Sequence, residues 1–254
     1  MDPLDMSGRI VLVTGGGRGV GRGIVQRFAA AGAAVAICGR NEPEGAEGVT
    51  FFKADVRDAD EVKALIDSVT ARFDHLDVVV NNAGGSPYAL AATASPRFSA
   101  SIVNLNLLAP LYVGTAANAV MQDQDGGGCI INIGSVSGTR PSPGTAAYGA
   151  AKAGLINLTQ TLAVEWAPKV RVNCVTAGAI RTEQAHLHYG DEDGIAAVAA
   201  TVPLGRMGEP ADVASVCLFL ASPLAGYISG ANLLVHGGGE RPVFLDAANA
   251  PRSE

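Results

Sequence analysis

The chain has no cluster of lysine and arginine. Its 18 basic residues are scattered along 254 positions against 24 acidic ones, for a formal net charge of −6. Phosphate backbones and anionic lipids select a basic footprint, so neither nucleic acid nor a membrane surface is an expected partner. Cysteines are few and far apart: Cys38, Cys129, Cys174 and Cys217 form no CxxC pair. That spacing excludes zinc ribbons and dithiol redox motifs and leaves the role of small buried thiols. The opening MDPLDMSG is acidic and lacks the basic start and apolar middle of a secretory signal, so a cytoplasmic protein is expected. Charge is absent from residues 98–122, a stretch long enough to cross a bilayer. Asn104, Asn106, Asn118, Ser99, Ser101 and Pro110 within it argue against hydrocarbon. No repeat, linker or shift in composition marks a boundary, so one domain over residues 1–254 is expected.

Glycine, by contrast, is abundant. The 32 glycines exceed the usual share of about 7% without any collagen period, which suggests many tight strand-to-helix turns. Short β-branched runs, RIVLVT, AVAICG, VTFFKA, DVVVNN, CIINIG, VRVNCV and ANLLVH, read as buried strands. Helical stretches fall between them at about 20–31, 58–73, 97–121, 145–166 and 209–221. Runs apolar on both faces, alternating with helices, predict an α/β fold: a doubly wound parallel sheet of about seven strands. One connection is abnormal. Only RNEPEGAEGV joins the second and third strands, and a loop is expected there because parallel crossovers usually need a dozen or more residues.

The first strand ends in TGGGRGVGRG and then turns helical. A strict GxGxxG fails at every start, whereas TGxxxGxG fits with Gly15, Gly19 and Gly21. Glycines at such a turn let a pyrophosphate approach the N–H groups at the positive end of a helix. Strand two ends CGRN, with Arg40 and no carboxylate before Glu42, and Arg18 lies in the glycine turn itself. An acid at this place binds the ribose hydroxyl of NAD, while arginine suits the 2′-phosphate of NADP. NADP(H) is therefore expected over NAD(H).

Tyr148 and Lys152 are the one phenol and the one ammonium in GTAAYGAAKAGL. At i, i+4 they share a helix face and can reach the same small volume. Taken with NNAG at 81–84 and NIGSVSG at 132–138, the chain resembles the short-chain dehydrogenase/reductase family over about residues 8–239. The resemblance implies a Rossmann fold and a catalytic set of Asn106, Ser135, Tyr148 and Lys152. Ser135 is taken because the family's serine precedes its tyrosine by 13 positions, and Asn106 because NLLAP matches NLxxP. The cofactor set becomes Gly15, Arg18, Gly19, Val20, Gly21, Arg40, Asp55, Val56, Asn82, Ala83, Gly84, Gly178, Ile180 and Thr182, together with Tyr148 and Lys152. Asp55 would hold the adenine amino group and Thr182 the nicotinamide end. The chain departs from the family in having Ala177 before Gly178 where proline is common, His236 where aspartate is frequent, and no crossover helix after strand two.

Carbonyl reduction adds hydride to carbon and a proton to the emerging alkoxide. Tyr148 is the expected proton donor, with its pKa lowered by Lys152 and by the oxidised nicotinamide. Ser135 would hold the oxygen of a small-molecule carbonyl or alcohol substrate. The resemblance makes Asn106 the anchor of a proton-relaying water; a buried asparagine satisfied by backbone is the other reading. A 3-oxoacyl thioester reductase and a non-catalytic NADP-binding regulator are the alternatives. The family's enoyl reductases place the lysine seven after the tyrosine, where this chain has Leu155. No metal is expected, since His186 and His188 have no third ligand. The helices at 97–121 and 145–166 lack a polar outer face, which implies packing in a homotetramer or homodimer. Residues 183–204 are expected to cover the substrate, and the tail 240–254 to be frayed or docked on a neighbouring subunit.

Overall fold

Strand and helix alternate along the chain as the apolar runs require: β1 (Ile10–Thr14), α1 (Gly19–Ala30), β2 (Ala34–Gly39), β3 (Thr50–Lys53), α2 (Ala59–Phe73), β4 (Val78–Asn81), α3 (Pro96–Val103), α4 (Ala109–Asp123), β5 (Gly128–Ser135), α5 (Ala146–Glu165), β6 (Val170–Ala177), α6 (His186–Tyr189), α7 (Glu192–Thr201), α8 (Pro210–Ala221), β7 (Asn232–Val235) and α9 (Val243–Ala247). The structure is a computed structural model and describes residues 2–44 and 48–247. The seven strands form one parallel sheet in the order β3-β2-β1-β4-β5-β6-β7. β1 pairs with β2 on one side and β4 on the other, so the winding reverses there and opens a crevice at the strands' carboxyl ends.

Both faces of the sheet are covered. Successive side chains of β1 alternate between two cores: Ile10 and Leu12 pack with α2, α4 and α5, while Val11 and Val13 pack with α1 and α8. All four cysteines are buried free thiols. Local chemistry sets the helix ends. Asp58 accepts the N–H groups of Asp60 and Glu61 to start α2, and Asp74, at φ 73°, ends it. Pro210 stands in the first turn of α8, behind a reciprocal Glu209–Asp212 capping box.

The β2–β3 connection contains no helix among the described residues; residues 45–47 of it lie outside them. Residues 97–121, read as a single helix, are instead α3, a π-helical turn (Asn104–Leu108) and α4. Pro110 has no N–H to give the Asn106 carbonyl, so the α ladder cannot run through this point. The Ala109 N–H reaches back to the Asn104 carbonyl, five residues earlier. By length and mean hydropathy the run Pro96–Asp123 could cross a membrane. Here its buried side chains, among them Val113, Ala117 and Met121, belong to the core shared with α2 and α5.

Residues 183–204 carry α6 and α7, with Ala185, Ile195 and Met207 forming a small core of their own. Asp191 caps α7 by accepting the Gly194 N–H. In the tail, Val243 and Phe244 on α9 are exposed, and residues 248–254 lie outside the described part.

Candidate active site

The crevice beside β1 is lined by the glycine turn. Gly15 and Gly19 have φ of 64° and 53°, a region that favours glycine. A Cβ on Gly21 would lie 2.4 Å from the Gly15 carbonyl oxygen, so that position admits no side chain. Thr14 and Asn82 lock the turn to the end of β4. The Thr14 hydroxyl accepts the N–H groups of Asn82 and Ala83, each at 3.0 Å, and Asn82 Nδ2 donates to the carbonyls of Thr14 at 2.9 Å and Gly15 at 3.2 Å. The Asn82 side chain is thus a brace for the turn. Arg22 donates twice to the Gly17 carbonyl from the first turn of α1, a contact that the motif does not announce.

These residues fit a dinucleotide phosphate. The Gly19 N–H points into the crevice and already holds an anionic oxygen, Glu183 Oε1, at 2.9 Å. Arg18 and Arg40 are exposed at the rim. Asp55 follows β3, where hydrogen bonds from Arg57, assisted by the charge of Arg40, hold its carboxyl below the usual range. Val56 turns its side chain into the core, and Val20 packs partly buried beneath the turn. On the other side of the crevice, the Gly178 N–H donates to the Val235 carbonyl at 2.9 Å. A Cβ on Gly178 would meet His236 at 2.7 Å, so glycine is required there whether or not proline precedes it. Ile180 bridges to Gly208, and the Thr182 methyl faces Gly19. The segment after β6 thereby spans back to the glycine turn.

The second cluster sits at the end of β5 and the start of α5. Ser135 ends the strand, and its Oγ accepts the Ser137 N–H at 3.2 Å. Tyr148 lies half-buried in the first turn of α5, and Lys152 is buried one turn on, its Nζ 5.7 Å from the centre of the tyrosine ring. Lys152 Nζ donates to the Ile133 carbonyl at 2.7 Å. Burial draws its pKa down to about 8, against a weak opposing influence of Cys174. For Tyr148 the direction set by the chain itself is upward, whereas the lowering expected above draws also on the charge of the oxidised nicotinamide. Burial of the phenol outweighs the hydroxyl of Ser135, which acts to lower it, and Tyr189 nearby adds to the rise.

Asn106 is fully buried within the π turn. Its Oδ1 accepts the Gly85 N–H at 2.9 Å, and its Nδ2 donates to the carbonyls of Gly85 at 3.0 Å and Ile102 at 2.9 Å. A Cβ on Gly84 would lie 2.7 Å from that Oδ1 and 3.4 Å from Lys152 Nζ. Gly84, Asn106 and Lys152 therefore share one small volume. His186 and His188 are exposed, and no group of three or more potential metal ligands converges among the described residues.

The buried ammonium gives a signed pH test. Between about 8 and the ordinary lysine value of 10.5, the unfolded chain binds more protons at residue 152 than the folded one. Stability contributed through this group therefore rises with pH across that window. Measured by urea unfolding, the wild type should gain on the order of 3 kcal/mol relative to Lys152→Met as pH is raised through it. A difference independent of pH would contradict the burial of the cation.

The comparisons agree with this architecture. The protein-family model described as enoyl-(acyl carrier protein) reductase matches residues 15–240. A 3-oxoacyl-[acyl-carrier-protein] reductase of Chlamydia muridarum is 37% identical over 243 residues, covering 91% of this chain and 96% of that protein. A 3alpha-hydroxysteroid dehydrogenase of Mediterraneibacter gnavus is 34% identical over 245 residues, covering 91% and 97%. Among solved structures, the aldohexose dehydrogenase of Thermoplasma acidophilum superposes with a TM-score of 0.88 at 31% identity, covering 98% of this chain and 99% of that one. With a seven-stranded doubly wound sheet and relatives matched over nearly their whole length, the chain belongs to the short-chain dehydrogenase/reductase family, oxidoreductases that act on hydroxyl and carbonyl groups.

Proposed function

We propose that the protein interconverts a carbonyl compound and the corresponding secondary alcohol with NADP(H), and that Tyr148 moves the proton. The observation that carries this reading is the meeting of Ser135, Tyr148 and a buried Lys152 at one end of the sheet, beside the glycine turn. The cofactor, when bound, supplies or takes up hydride at its nicotinamide ring. Ser135 Oγ holds the substrate oxygen, and the Tyr148 hydroxyl gives it a proton as negative charge develops there. The raised pKa keeps the resting phenol protonated, the form that reduction requires. Lys152 then stabilises the phenolate left behind.

Arg18 and Arg40 are the proposed partners of the 2′-phosphate. Asp55 and the Val56 backbone take the adenine end, and Asn82, Ala83 and Gly84 wall the crevice. Gly178, Ile180 and Thr182 take the nicotinamide end. With the Asn106 side chain committed to backbone partners, its role is positional: it holds Gly84 and Gly85 against Lys152. Its main-chain carbonyl, denied the Pro110 N–H, is the candidate anchor for a water leading protons to Lys152.

Carbon–carbon double-bond reduction, which the name of the matched family model suggests, is disfavoured. Leu155, seven after Tyr148, is fully buried in the core and cannot serve as a cation. Reduction of a 3-oxoacyl thioester is the second reading, favoured by the likeness to the 3-oxoacyl-[acyl-carrier-protein] reductase. The three converging side chains argue against a regulator that binds cofactor without turnover. The charge-poor outer faces of α4 and α5, whose exposed charges are Asp123 and Glu165 at the helix ends and which include the exposed Val164, are the proposed contact in a homotetramer or homodimer.

Tyr148→Phe should lower carbonyl-dependent NADPH oxidation by at least ~10²-fold, the contribution expected of a positioned proton donor. NADPH binding, followed by fluorescence, should be retained. Turnover surviving in this variant would overturn the role of Tyr148. Arg40→Ala should weaken NADPH by about tenfold, the loss of one charge-assisted contact to phosphate, and leave NADH nearly unchanged. Equal weakening of both would remove the preference for NADP.

A further inference from the structure

The first helix lacks a side-chain cap of its own. Arg18 stands at the N-cap position of α1 with no acceptor to offer, and the first turn contains no acid. The acceptor comes instead from 164 residues further along: Glu183 Oε1 takes the Gly19 N–H at 2.9 Å. Burial pushes this carboxyl up, but its main-chain hydrogen bonds and the charges of Arg22 and Arg18 prevail, and its pKa lies below the usual range. The carboxylate is therefore charged at neutral pH. It occupies the donor to which, on the reading proposed above, a pyrophosphate oxygen would bind.

We propose that Glu183 is an internal competitor for the cofactor pyrophosphate, a residue that sets cofactor affinity and ties cofactor arrival to movement of the substrate-covering segment. The inference rests on the glycine turn being the cofactor site. One N–H cannot serve a carboxylate and a phosphate oxygen in full, and the two anions repel at that distance. Glu183 must turn away when the phosphate enters. A groove of about 800 Å³ adjoins it, between the covering segment and helices α1 and α8, and is lined by Arg27, Glu183, His186, Ile195 and Pro210 among others. It offers space and a cation, Arg27, to the displaced side chain, although the carboxylates of Glu192 and Glu209 line it as well. The movement is not confined to one side chain. Just before Glu183, Thr182 packs on Gly19 of the glycine turn, and Arg181 pairs with Glu192 of α7 at 2.8 Å, which ties this stretch to the segment.

The test compares wild type, Glu183→Gln and Glu183→Ala by NADPH titration and by hydrogen exchange at the Gly19 amide. Glu183→Ala should bind NADPH about tenfold more tightly, equivalent to about 1.4 kcal/mol. Glu183→Gln, which keeps the size of the side chain and removes its charge, should bind more tightly by a smaller factor. Without cofactor, Gly19 should exchange faster in Glu183→Ala than in wild type, and the difference should vanish with NADPH bound. Unchanged or weaker binding in both variants overturns the inference while leaving the cofactor site in place, as does unchanged exchange at Gly19. Failure of the wild type to bind either NADPH or NADH overturns the cofactor reading and the inference with it.

Discussion

Lys152 puts a cation inside the protein with one carbonyl oxygen, that of Ile133, as its hydrogen-bond acceptor. A buried charge is tolerated only when its surroundings compensate for the lost water, and much of the site is arranged around this one ammonium. The helix that carries it, α5, is rich in alanine and glycine because it approaches the turn after β5 closely. A Cβ on Gly149 would lie 2.7 Å from the Ser137 carbonyl, and one on Gly138 would lie 2.7 Å from the Lys152 backbone. Small residues let α5 press against the turn after β5, which brings Tyr148 and Lys152 to Ser135. Below this contact, Thr159 of α5 accepts from Asn132 of β5, which in turn accepts from Asn81 of β4, both at 2.9 Å. This buried polar chain fixes the helix to the strand and adds nothing to the chemistry directly.

The carboxyl end of the sheet presents two kinds of electrostatics. At the glycine turn, main-chain N–H groups and arginines favour an anion. At the end of β5, a phenol kept neutral by burial stands beside a cation weakened by it. Reversal of the winding at β1 places both on one crevice. Asn82 connects them physically, since its side chain holds the Thr14–Gly15 backbone while the residues after it, Ala83 and Gly84, lead to Asn106 and Lys152.

Much of this was legible in the residues. All seven strands lie where β-branched runs fall, and the proline- and glycine-bearing stretch after β2 carries no helix among the described residues. The Tyr148–Lys152 pair lies on one face because helical periodicity is local. What escaped depends on distant or three-dimensional facts. The π turn at Asn104–Leu108 arises from Pro110 together with backbone partners at Gly85, and periodicity carries no trace of the latter. The upward shift of Tyr148 reflects burial, which a spacing argument does not contain. The contact between Glu183 and Gly19 joins residues 164 apart, and adjacency to Thr182 was its sole signal.

Carbonyl chemistry at this phenol is the central claim, and the most direct measurement is NADPH oxidation, followed by absorbance of the reduced nicotinamide, across a panel of ketones, steroids, 3-oxoacyl thioesters and enoyl thioesters. The account predicts oxidation with at least one carbonyl class and none with enoyl thioesters. Oxidation confined to enoyl thioesters, or none with any carbonyl despite bound NADPH, would contradict it.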